Sequence, residues 1–600
     1  MNKPGGVAAA AGSAPRGFVA GTALAGSVTM SLVQPPVDLW PLAWLAAVPW
    51  MLLLRVPRRF TGRDWGILWA AGLLHWLAVL HWLRLPHPAT SIGWLLLSAY
   101  LGLFLPAFVW LARRAGDACG LPFVPAAMLA WVATEHLRAW LFGGFTMGGL
   151  CDTQYRCLPI LQVADLFGGV GLSGLVAAVA AGVAAVVPLP GLQNRSKRAG
   201  IAAVATAAGL LAAGLGYGWW RLASEPTAAG GIEVLLVQGS IDTELKQDPA
   251  AAEMVARHYD ELTTTGLLEQ PGDPPDLVVW PETMWRWGLL EIDPAERLPE
   301  DLVAERLGPP AASRPDDDAR RQARCRRLLA EERLEPLAAF ARRYGTTWLV
   351  GLDKQLVTPE AASGYRNYNC GLFLDAQGRT LGCYEKMHPV LFGEYVPLAD
   401  RYPWLYRLTP LPAGLSAGQS PVAVEVDGVL VAVNICYETT LPRAVRGMVR
   451  ELEAAGRRPE LIANLTNDGW FWGSSELDMH LAAAVLRAVE VRTPIVVAAN
   501  TGISAWIDGS GRVLARGPKR ATATLRVRPA ADGRTSPFLI WGTLPTGLVA
   551  TAAGIVLLWQ SVAGLKIARR GPRGSRLEPS SSPTAGGGFS VALTPRPMQD

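Results

Sequence analysis

From Gly17 to Tyr217 the chain is almost unbroken hydrophobic sequence, interrupted only by short charged or proline-rich joints. A helix needs about 20 apolar residues to cross a bilayer, and inside the bilayer every backbone polar group has to be satisfied within the span. The joints divide the stretch into seven expected spans, near residues 17–33, 39–54, 65–83, 91–112, 121–142, 160–187 and 200–217, with an eighth at 538–562. Lys3 and Arg16 precede the first, which without a clear cleavage site is expected to stay as an anchor rather than leave as a signal peptide. The chain's 23 tryptophans agree, because their half-dry, half-wet ring favours membrane interfaces.

Positive charge orients the spans. Arg55, Arg58, Arg59 and Arg63 follow the second, Arg113 and Arg114 the fourth, Arg195, Lys197 and Arg198 the sixth, and Lys566, Arg569, Arg570 and Arg573 the eighth. In an alternating topology all four clusters share one side, which the positive-inside rule makes cytoplasmic, so the long segment between spans seven and eight is expected outside. The net charge is only +5, with no basic stripe interleaved with aromatics, which argues against nucleic acid as a partner.

That long segment, residues 231–530, changes character: charge rises, and short β-branched runs alternate with helical stretches, the pattern of an α/β domain. Strands are expected at 232–238, 277–280, 347–351, 371–374, 422–426, 430–435, 461–465, 494–499 and 504–508, and helices at 251–268, 317–344 and 476–492. Residues 288–319, rich in proline and charge, read as a surface insertion, and the Ser/Pro/Gly-rich residues 571–600 as a disordered cytoplasmic tail.

Three apolar runs in this segment stop on chemistry. Val431-Ala-Val-Asn-Ile ends at Cys436-Tyr437-Glu438, Leu277-Val-Val-Trp ends at Pro281-Glu282, where the proline is expected to end the ladder, and a third ends at Cys383-Tyr-Glu385-Lys386. A lone cysteine after a strand is more often inert core than catalyst. A thiol, a carboxylate to take its proton and an ammonium to hold an oxyanion nevertheless make an acyl-transfer set, and a buried Glu and Lys are costly unless used or paired. The seven cysteines show no metal-ligand spacing, so neither metal nor cofactor is expected, and Cys151 and Cys157 are left as a possible bridge or two free thiols. His388 reads as a loop residue and His480 as a helix residue without ligand partners. In the membrane part, Glu135 and Arg138 share a helix face as a structural bridge, with a lipid headgroup site as the second reading, while Asp165 is expected simply to reach the interface.

The order Glu282, Lys386, Cys436 resembles the Glu-Lys-Cys triad of the nitrilase superfamily of α-β-β-α sandwiches. Trp280-Pro-Glu282, the run from Lys386 to Pro397, Ile435-Cys-Tyr-Glu438, Leu465-Thr-Asn-Asp-Gly-Trp-Phe471, Arg487-Ala-Val-Glu490, Asn500-Thr-Gly-Ile-Ser504 and the Gly143-Gly-Phe145 segment together resemble the bacterial apolipoprotein N-acyltransferase family. Trp472 departs from the pattern, standing where a glycine is common.

The resemblance implies an eight-helix transmembrane domain (1–222 and 538–562) with an inserted periplasmic nitrilase-like sandwich at 231–530, in a multi-pass inner-membrane protein acting as a monomer. It implies an acyltransferase in which Cys436 takes a fatty acyl chain from a phospholipid as a thioester and passes it to the α-amino group of a diacylglyceryl-cysteine on an apolipoprotein. Glu282 would be the base and Lys386 the oxyanion partner, with Glu394 and Glu438 orienting them and Tyr437 lining or gating the pocket. The alternatives are a membrane-tethered nitrilase-type hydrolase, and a transporter or scaffold with a degenerate domain.

Overall fold

The computed structural model describes residues 17–555 apart from 194, 225, 227–229, 270–272, 309–314, 362, 400 and 409–413, so the expected tail at 571–600 lies outside the described residues. Among the described residues, three helical runs are long and apolar enough to cross a membrane: Thr90–Asp117, Ala164–Val186 and Lys197–Ala223. Phe18–Leu32, Trp40–Arg55 and Leu544–Ile555 are apolar but shorter. The expected span at 39–54 is not one regular helix, because Pro41 and Pro49 divide it into short 3-10 and α segments. The helix Ala164–Val186 is the axis of the membrane part. Its Ala177, Ala178, Ala181 and Ala184 are fully buried, small enough for neighbouring helices to approach closely.

Between residues 234 and 527 the chain forms twelve strands: β1 Val234–Gln238, β2 Leu277–Ile292, β3 Thr347–Val357, β4 Tyr365–Leu374, β5 Thr380–Glu385, β6 Ala423–Val426, β7 Val429–Ile435, β8 Leu461–Thr466, β9 Ile495–Ala499, β10 Ala505–Ile507, β11 Val513–Arg516 and β12 Ala523–Val527. They make two six-stranded sheets, β12-β1-β2-β3-β4-β5 and β11-β10-β9-β8-β7-β6. Leu236, Val279, Leu349 and Phe373 from one sheet meet Val431, Val433, Ala463 and Val496 from the other in a common core. Helices Ala252–Glu269 and Pro315–Tyr344 cover the outer face of the first sheet, and Pro442–Ala454 and Glu476–Val491 that of the second. The result is a four-layer α-β-β-α sandwich. Not all of the tryptophan serves the membrane, since Trp280, Trp285 and Trp348 are buried in the first sheet's outer core.

Pro281 does not end its strand, contrary to the sequence reading. Pairing of β2 with β3 lapses between Trp280 and Trp285 and resumes as far as Ile292, so the missing proline N–H falls in a gap where the ladder needs none. Gly351 makes the gap possible, because a Cβ there would lie 2.3 Å from the Pro281 carbonyl. The insertion therefore begins after Ile292 rather than at Gly288, and its first regular element is the helix Glu300–Leu307.

The sandwich rests on the membrane part through the second sheet's helices, whose core is continuous with Ile160, Leu161, Leu172 and Leu175. Asp165 does not reach the interface. It is fully buried, and its Oδ2 accepts from Arg221 Nε at 2.5 Å, Arg492 Nη2 at 2.6 Å and the Tyr217 hydroxyl at 2.9 Å. Arg492 caps the helix Glu476–Val491 from a left-handed conformation, so this carboxylate ties a membrane helix to the second sheet's outer layer. The Glu135–Arg138 bridge forms at 3.8 Å, with Arg138 also donating to the Met147 carbonyl. Cys151 and Cys157 are both free thiols.

Removing one partner of a buried ion network leaves the others uncompensated, so Asp165→Ala should cost about 3–5 kcal/mol. Glu253→Ala, which breaks an exposed pair with Arg257, should change stability by less than about 1 kcal/mol. Thermal unfolding of both variants in detergent checks the contrast.

Candidate active site

Two strand ends and one interrupted strand converge where the two sheets face each other. Glu282 enters from the gap in β2, Lys386 follows β5 directly, and Cys436 follows β7 at the start of a 3-10 turn. Glu282 and Lys386 are buried and Cys436 is partly buried. The Lys386 ammonium lies 2.7 Å from Glu394 Oε1 and 3.5 Å from Glu282 Oε1. Burial opposes its charge, but Glu394 and then Glu282 raise it above the ordinary lysine value, so it stays an ammonium.

Glu282 is held from two sides. Asn369 Nδ2 donates to Oε1 at 2.6 Å, and the Asn467 backbone N–H donates to Oε2 at 2.9 Å. Asn369 also fixes Lys386, because its carbonyl accepts the Lys386 N–H at 2.8 Å. Asn467 lies in the Leu465–Phe471 motif without its role being visible there, and nothing local marks Asn369, whose partner is 87 residues away.

Glu438 joins two chain segments. Its Oε1 accepts from the N–H groups of Met387 and His388, both at 2.9 Å, its Oε2 from Ile435 N–H at 2.8 Å, and Tyr384 OH reaches both oxygens at 2.8 and 2.9 Å. The carboxylate thus clamps the residues flanking Lys386 to the residues flanking Cys436. Glu394 secures its own loop, with Oε2 accepting from Val390 N–H at 2.7 Å. The Tyr437 hydroxyl leaves the triad and donates to the Gly144 carbonyl at 3.1 Å, stitching the turn to the membrane part. Burial pushes that phenol up to about 12.

Cys436 takes φ 52°, a left-handed conformation that few residues with a Cβ adopt. Burial and then the Glu282 charge push its thiol well above the ordinary value, with Lys386 opposing them. Cys436 therefore rests as a thiol, and the Glu282 carboxylate, anchored by two donors, is a group that can accept a proton.

The family model of the apolipoprotein N-acyltransferase N-terminal domain matches residues 26–182, and that of carbon-nitrogen hydrolases matches residues 266–528. A Rhodopirellula baltica apolipoprotein N-acyltransferase is 29% identical over 91% of this chain and 97% of its own length. One from Allorhizobium ampelinum is 32% identical over 78% and 80%. One from Geobacter metallireducens is 31% identical over 84% of this chain and 88% of its own. The chain belongs to the apolipoprotein N-acyltransferase family.

In this apolipoprotein N-acyltransferase family member, the departure at Trp472 has a backbone reading. Its φ is 51°, in the left-handed region that favours glycine, so the indole is carried at some conformational cost, half exposed, with the Arg520 guanidinium 5.3 Å from its ring centre.

The charges around Cys436 set the sign of its reactivity. With iodoacetamide, alkylation of Cys436 should lag an ordinary thiol at pH 8. Glu282→Gln, which removes a charge that raises the thiol pKa, should speed it, and Lys386→Met, which removes the opposing charge, should slow it. Alkylation rates of the three proteins between pH 7 and 10 check this order.

Proposed function

We propose that this protein transfers a fatty acyl chain from a membrane phospholipid to the α-amino group of the N-terminal diacylglyceryl-cysteine of an apolipoprotein, the last step of lipoprotein maturation. The observation that carries the reading is the buried ammonium of Lys386 between two carboxylates beside the Cys436 turn, in a chain of this family with membrane-length helices.

In the first half-reaction Cys436 Sγ attacks the phospholipid ester carbonyl and Glu282 takes the thiol proton. Lys386 balances the charge on the tetrahedral oxygen, in a site dry enough for that charge to count. The C–O bond then breaks, Glu282 returns the proton to the leaving alkoxide, and a lysophospholipid departs from the thioester. In the second half the lipoprotein amine attacks the thioester carbonyl, Glu282 accepts its proton, and the Cys436 thiol is regenerated as the amide forms. Ping-pong kinetics follow. Glu394 keeps Lys386 aimed, Glu438 holds the loop and the turn together, and Tyr437 anchors the turn to the membrane part.

Both substrates are lipids, which gives the apolar spans a purpose. The loop beyond Lys386 exposes Phe392, Leu398, Tyr402 and Trp404, an apolar surface beside the site that suits acyl chains. The clustered arginines after alternate spans support eight crossings of the inner membrane, with residues 231–530 in the periplasm and the C-terminal tail in the cytoplasm.

Purified protein given phospholipid and a diacylated lipopeptide should yield N-acylated peptide and lysophospholipid in equal amounts. Intact mass should show an acyl adduct on Cys436 that hydroxylamine removes, and Cys436→Ala should lose both while remaining folded. Free fatty acid without acylated peptide would mean that water resolves the thioester, and a fully active Cys436→Ala would mean that the domain does no covalent chemistry.

A further inference from the structure

Asp468, Glu476 and His480 bring their ligand-type atoms within 4.8 Å of one another, all buried, and by composition alone the group looks like a metal site. The hydrogen bonds argue otherwise. His480 Nε2 lies 3.1 Å from the carbonyl oxygen of Cys436, which can only accept, so Nε2 carries a proton. His480 Nδ1 lies 3.2 Å from Asp468 Oδ1, a carboxylate oxygen that also accepts from the Thr466 hydroxyl at 2.7 Å, so Nδ1 carries one too. An imidazole protonated on both nitrogens has no lone pair for a metal, and it is a cation.

The surroundings keep it so. His480 is only 4% exposed, and although burial disfavours its charge, Asp468 and Glu476 raise it to about 9. Burial and then the Asp468 charge push Glu476 above the ordinary carboxyl range, with His480 opposing them. Asp468 can come this close because Gly502 has no side chain, and a Cβ there would lie 2.0 Å from Asp468 Oδ2.

The helix Glu476–Val491 grips the nucleophile turn at two points. His480 holds the carbonyl at its first residue, Cys436, and Arg487 Nη1 holds the carbonyl at its last, Thr440, at 3.1 Å. We propose that His480 is a positioning residue for the acyl-transfer nucleophile: an imidazolium that spans from the Asp468 carboxylate to the Cys436 carbonyl and keeps Cys436 in its left-handed conformation, with Sγ turned to Glu282 and Lys386. The inference rests on Cys436 being the acylated residue, as proposed above. It adds a cation that never touches substrate yet fixes where the sulfur points.

The test measures two rates on the full-length protein in detergent: acylation of Cys436 by phospholipid, followed by intact mass, and alkylation of Cys436 by iodoacetamide, which needs no lipid chemistry. His480→Phe fills the space without a donor. It should lower the acylation rate by about 100-fold, the scale on which a displacement of about 1 Å acts, with the KM for phospholipid unchanged. His480→Gln, which can still donate to the carbonyl, should recover part of that loss. The groups facing His480 are Asp468, Glu476 and the Cys436 carbonyl, and Lys386 keeps its charge over the range tested. In the wild type the acylation rate should therefore fall as pH rises through about 9 and the imidazolium is lost. In Asp468→Asn, which keeps the packing but removes the stabilising charge, that fall should begin at lower pH. Wild-type acylation and alkylation rates in a folded His480→Phe, or an alkaline limb unmoved in Asp468→Asn, would overturn the proposal. If the wild type forms no thioester, the acylation reading fails on its own, and the alkylation rates still decide whether His480 positions the sulfur.

Discussion

One buried carboxylate holds the candidate site together. Glu438 is 1% exposed and accepts from Tyr384, Met387, His388 and Ile435, so the loop that carries Lys386 and the turn that carries Cys436 share a single anion. The two segments belong to different sheets, and their apolar core alone would leave their ends free to slide. Charge-assisted hydrogen bonds to backbone N–H groups are short and directional, and leaving such donors unmet in a dry interior is costly. The clamp therefore supplies alignment where hydrophobic packing supplies only proximity.

The same device recurs where the sandwich meets the membrane part. Asp165 joins Arg221, Tyr217 and Arg492, and Glu490 Oε1 accepts both from Arg487 and from the Gly169 N–H of a membrane helix. The Ser536 hydroxyl, just before the chain returns toward the membrane, donates to the Glu490 carbonyl. These contacts fix the helix Glu476–Val491 at its C-terminal end while His480 and Arg487 hold the nucleophile turn further along it. The second sheet's outer layer is thereby referenced to the membrane helices.

Much of this could be read from the chain because it is local. Apolar runs that stop on Lys386 and Cys436 announce strand ends, the run before Glu282 announces its strand, and the helices at 252–269, 315–344 and 476–491 carry their own periodicity. What could not be read depends on partners far away in sequence. Asn369 looks like any polar residue, and Asn467 shows only a motif and no role, until Glu282 arrives between them. Asp165 looks free to reach water until Arg492 arrives from 327 residues on. Pro281 looks like a strand terminator because the gap that accommodates it depends on Gly351 in the neighbouring strand. His480 shows no partner at i+4, while Glu476 stands one turn before it and Asp468 is brought in by the preceding turn.

The central claim is that one anion sets the alignment of nucleophile and ammonium, and Glu438→Gln tests it most directly. The substitution keeps the size of the side chain but removes its charge and turns an amide N–H toward groups that themselves donate. With folding verified by thermal unfolding, the first acylation of Cys436 by phospholipid, measured in a single turnover, should slow by about 100-fold. A folded Glu438→Gln protein that acylates Cys436 at the wild-type rate would contradict the account.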